Sequence, residues 1–80
     1  MDKEYKVLIN KALEQYYFDI AEYGHTAAPL AHNSLTESIY HLQEYAKIRR
    51  DFYAYHEIDE VVEILEAGGI IEPYTLEDAA

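Results

Sequence analysis

Cysteine and tryptophan are absent from this 80-residue sequence, and glycine and proline are scarce, at three and two residues. The missing thiols exclude a disulfide framework, a thiolate zinc site and a cysteine nucleophile. They also suit a reducing cytoplasm, where the chain is expected to work. No apolar run approaches the ~20 residues that a membrane-spanning helix needs. The start, Met1-Asp2-Lys3-Glu4, is charged with no apolar stretch behind it, so a secretory signal is not expected. A glycine-rich phosphate loop is missing too. Ser34 and Ser38 are better explained by helix capping and surface placement than by nucleophilic chemistry. No cofactor is expected, and the chain is read as a non-enzyme.

The most informative absence is of one sign of charge. Sixteen acids face six bases, a formal charge of −10, and no Lys or Arg follows Arg50. Residues 1–50 hold seven acids and six bases, whereas residues 51–80 hold nine acids and no base. Such a surface repels phosphate backbones, which excludes direct nucleic-acid binding over it, and attracts a basic partner. Half the residues are apolar, so the chain is not a disordered acidic tail. Nine tyrosines supply most of the aromatic content, and a half-buried tyrosine suits thin cores and interfaces alike.

What is present is helical periodicity. Tyr5, Leu8, Ile9, Ala12, Leu13, Tyr16, Ile20 and Tyr23 recur at steps of three and four, predicting a helix over 3–23 that stops at Gly24. Residues 24–33 read as a loop, because Pro29 disfavours helix at Ala28, and Leu30 is expected to plug the open end of the bundle. Ser34-Leu35-Thr36-Glu37 reads as a capping box opening the next helix. From Leu35 to Leu65 the apolar stripe averages about 3.3 residues per step, so it drifts around a straight helix. One long helix fits this, but a break near 53–57 is preferred, giving helices over 34–54 and 57–67. Gly68-Gly69 ends the run, and residues 68–80 form a hook on which Ile70 and Ile71 dock, with one helical turn beginning at Thr75. The expectation is a single all-α domain over 1–80: a small antiparallel helical bundle of two long helices plus a third segment and an extended C-terminal hook. The stripes are broader than one hairpin can bury, which predicts a homodimer.

Two clusters are candidate sites. Glu57, Glu60, Glu63 and Glu66 recur every third residue, about 5–6 Å apart, and like charges at that spacing weaken a helix. Together with Asp51, Asp59 and Glu72 they form a candidate partner-binding surface that imitates phosphates. The plainer reading is a solvated face that keeps a small protein in solution. The second cluster, Lys47, Arg49, Arg50 and Tyr53, has the chemistry to hold a nucleotide-type ligand, unless Lys47 pairs with Glu44 or Asp51 and Arg49 lies over Tyr53. Glu37, His41 and Glu44 share a face but lack the Glu-x-x-His order of bundle metal sites, so no metal is expected.

In size, acidity and tyrosine content the whole chain resembles the small inhibitors that phages and mobile elements direct against host enzymes. That resemblance implies an acidic DNA mimic seated on the basic surface of a nucleic-acid-handling protein. The alternatives are a small-molecule sequestering protein and an assembly subunit.

Overall fold

The computed structural model describes residues 1–76. Three helices follow one another: α1 over Lys3–Tyr23, α2 over Ala28–Ile48 and α3 over Phe52–Glu66, with no strand among the described residues. Helix α1 has the bounds its periodicity predicts. It ends at Gly24, where φ is +79° and the amide donates to the Ile20 carbonyl at 2.8 Å. A side chain there would be strained, which is why glycine occupies it.

The expected loop over 24–33 is mostly helix. A 3₁₀ turn over His25–Ala27 runs directly into α2, and Ala28 is itself helical despite the proline behind it. Pro29 lies in the first helical turn, where its missing N–H has no intrahelical bond to lose. Ser34 therefore sits inside α2, and no capping box forms. The Thr36 hydroxyl instead donates back to the His32 carbonyl at 2.9 Å. Ala31 enters the core, while Leu30 stays 75 % exposed and plugs nothing.

A break does divide the second run, but at 49–51 rather than 53–57. Arg50 takes the left-handed conformation (φ +58°), its amide donates to the Lys47 carbonyl, and the Asp51 amide donates to the Ala46 carbonyl at 2.9 Å. That pair of bonds is a Schellman ending. Asp51 then caps α3, its Oδ1 accepting from the Ala54 amide at 3.1 Å. The helical register restarts here, so the stripe drawn across the break fails at its middle. Tyr45, Ile48 and Phe52 are exposed, whereas Ala46, Ala54 and Val61 are buried in their stead.

Helix α2 packs against both α1 and α3. The core joins Tyr5, Ile9 and Leu13 to Leu35, Ile39 and Leu42, and these to Ile58, Val62 and Leu65. Buried Gln43 is satisfied by donating to Asp59 Oδ1 at 2.9 Å, which ties α2 to α3. The molecule is flat, 37 × 30 × 17 Å with a radius of gyration of 13.0 Å. A compact 80-residue domain would have a radius of about 11.6 Å.

After α3 the chain folds back as a hook. Gly68 (φ +86°) and Gly69 repeat the Schellman ending, and a Cβ on Gly69 would lie 3.0 Å from the Ile64 side chain. His32 Nε2 bonds the Gly69 carbonyl at 3.0 Å. At its far end the hook is held by a reciprocal pair: Asn10 donates to the Tyr74 carbonyl at 2.9 Å, and the Tyr74 amide donates to Asn10 Oδ1 at 2.8 Å. Of the two isoleucines only Ile71 packs against the core; Ile70 points outward. Thr75 and Leu76 have no regular structure, and the rest of the expected terminal turn lies outside the described residues.

Candidate functional site

The seven acids proposed as one surface divide into two groups. Three have structural work. Asp51 caps α3, Asp59 accepts from Gln43, and Glu57 Oε1 lies 3.0 Å from the Met1 amino group. Glu60, Glu63, Glu66 and Glu72 are exposed. The four glutamates of α3 do not share a face, because each three-residue step falls about 60° short of a full turn. Glu57 faces the start of the chain, whereas Glu66 lies on the α2 side beside Tyr40. As acceptor and as charge, the Glu66 carboxylate raises the Tyr40 pKa above its ordinary value.

The hook turns part of this charge into a shaped site. Between α3 and residues 71–74 lies an open groove of about 370 Å³. Val61, Ile64, Ile71 and Tyr74 give it apolar walls, and Glu57, Glu60 and Glu72 line it beside them. Burial raises the pKa of the Tyr74 phenol, and the charges of Glu57 and Glu60 raise it further. Lys6 lies 5.9 Å from the centre of the same ring and draws it toward α1. A carboxylate rim on an apolar trough suits a long basic side chain, whose stem packs on the walls while its head meets the acids.

The sequence marked the three acids of this groove but not its walls. Tyr74 is placed by Asn10, 64 positions earlier. No local pattern reports that contact.

The basic cluster does not converge. Lys47 and Arg49 are two residues apart at the end of α2, so their directions differ by about 160°. Arg49 Nη1 is 2.6 Å from Glu4 Oε1, and its guanidinium lies over Tyr45 (5.3 Å) and Tyr5 (5.8 Å) rather than over Tyr53. Lys47 makes no ion pair with Glu44 or Asp51 among the described residues, and Arg50 is held by the backbone turn. Tyr53 is 72 % exposed on the first turn of α3. Among the described residues, no three His, Asp or Glu side chains come together as metal ligands, and no helix is long and apolar enough to cross a membrane.

The chain belongs to the family described as Domain of unknown function (DUF4754), whose profile matches residues 1–80. No curated protein and no solved structure matches it.

Proposed function

We propose that this protein is a non-enzymatic, acidic protein-binding module. Working in the cytoplasm, it occupies the basic surface of a nucleic-acid-handling protein by charge mimicry, as a small inhibitor of the kind made by phages and mobile elements. The observation that carries the reading is the groove between α3 and the hook. It offers an apolar trough for an Arg or Lys side chain and the exposed Glu60 and Glu72 for its head, with Glu57, already paired to the Met1 amino group, beside them. Glu63 and Glu66 extend the negative field beyond the groove and speed encounter with a basic partner. Asp51 and Asp59, which maintain the fold, contribute field rather than contact.

The test is capture from cell extract on immobilised protein at low salt, with the retained proteins identified. The expected partner is a basic nucleic-acid-binding protein that competing double-stranded DNA displaces and high salt releases. A Glu60→Lys, Glu63→Lys variant should fail to retain it. Retention that survives both high salt and the double charge reversal would defeat the proposal.

A further inference from the structure

A second groove runs along the seam between α1 and α2. Three adjoining hollows of about 380, 40 and 390 Å³ form it, the first two sharing Asp19, Ala31 and Ser34 and the last two sharing Ser38. None of their lining residues comes from α3 or the hook. Its floor is made of small residues, Ala12, Ala31, Ser34 and Ser38, which let another backbone approach closely. Exposed apolar side chains stand at both ends: Leu8 and Tyr45 at one, Tyr23 and Leu30 at the other. A trough this long, between two 21-residue helices, has the form of a seat for another helix.

We propose that the occupant is a second copy of the same chain, packed by two-fold symmetry so that α1 and α2 of each copy complete a four-helix bundle. Charge selects this arrangement. Residues 1–50 are nearly neutral at seven acids and six bases, and the unrelieved acids all follow them. Pairing through the seam turns both acidic segments outward, whereas pairing through α3 would set acid against acid. The groove's flanks also complement each other. Lys11 on α1 and Glu37 on α2 are both exposed and make no ion pair among the described residues. With the two-fold axis along the seam, the α1 flank of one copy faces the α2 flank of the other, so Lys11 meets Glu37 twice. Doubling also turns a layer 17 Å thick into the two-layer packing that most domains use. This inference does not rest on the acidic groove.

The experiment is size-exclusion chromatography with light scattering on the intact chain, loaded between about 1 and 100 µM. The expected mass is twice the 9.3 kDa chain. Ser38→Arg, an exposed floor position, should give a monomer whose circular dichroism remains that of the wild type. Lys11→Glu should weaken the dimer about tenfold or more, and adding Glu37→Lys should restore it. Glu63→Lys, on the far side, should leave the mass unchanged. A wild-type monomer across that range, or an assembly that persists in folded Ser38→Arg, would overturn the proposal. The charge-reversed Glu60→Lys, Glu63→Lys variant tests the partner surface separately, since it should lose the partner and keep the dimer.

Discussion

Tyr5 carries the sharpest tension of any single residue. It is fully buried, with Arg49 over its ring and Tyr45 beside it, yet its hydroxyl makes no hydrogen bond of acceptable geometry. A buried hydroxyl left unsatisfied costs about 1–3 kcal/mol. The ring and its cation–π contact therefore account for the residue, and Tyr5→Phe should leave stability unchanged or raise it by about 1 kcal/mol in urea unfolding. A clear loss would show that the hydroxyl bonds to the Asp51 carboxylate. Burial raises the Tyr5 pKa above 10.0; Arg49 opposes the rise, while Asp51 and Glu4 add to it. A raised pKa means that the folded state holds the proton more tightly. That contribution is fully present below pH ~10 and is lost as pH climbs through the folded value. Tyr74, raised first by burial, acts in the same sense. The urea midpoint should accordingly fall above pH ~10, less steeply in Tyr5→Phe.

At the scale of elements, α2 and α3 end in the same way, by paired Schellman bonds, but with different residues in the left-handed position. Gly68 serves α3 and Arg50 serves α2. The glycine ending could be read from sequence, since Gly68-Gly69 can hardly sit inside a helix. The arginine ending could not, because Arg is a good helix former and only the capping of Asp51 onto Ala54 shows why the chain turns there. Three substitutions follow. Arg50→Gly should add up to about 1 kcal/mol by removing left-handed strain. Asp51→Ala should cost about 1 kcal/mol by uncapping α3, while Asp51→Asn costs much less. Thermal or urea unfolding measures all three. If Asp51→Ala were neutral, the cap would not be what sets the break. The start of α2 teaches a related lesson. Ser34 and Glu37 have the spacing of a capping box, but Pro29 opens the helix about two turns earlier.

For the whole molecule, charge and fold pull in opposite directions. The chain carries −10, with no base after Arg50 to offset the acids of α3 and the hook. Screening relieves that repulsion more than it weakens the exposed Arg49–Glu4 pair, because such surface pairs contribute only about 0–1 kcal/mol. The melting temperature should therefore rise between about 20 mM and 500 mM NaCl, where the Debye length falls below about 10 Å. Over the same range, binding to a basic partner should weaken. Opposite salt responses of folding and binding would place the acids where the proposed function needs them. A melting temperature that fell with salt would contradict the repulsion argument.

The sequence by itself determined the all-α class, the bounds of α1, the glycine stops after α1 and α3, and the concentration of acid after Arg50. These rest on periodicity, glycine conformation and composition, all of which act within a helical turn or need no geometry. Tertiary structure decided where α2 begins, since burial of Ala31 rewards helix before Ser34, and where it ends, since burial of Ala46 and Ala54 requires the change of register at Arg50 and Asp51. It also decided which acids are free, because the partners of Asp59 and Glu57 come from distant segments. The groove itself exists only because Asn10 holds Tyr74, and His32 the carbonyl of Gly69, across the fold. Contacts of that reach are chosen by packing of the whole chain, and no local stretch encodes them.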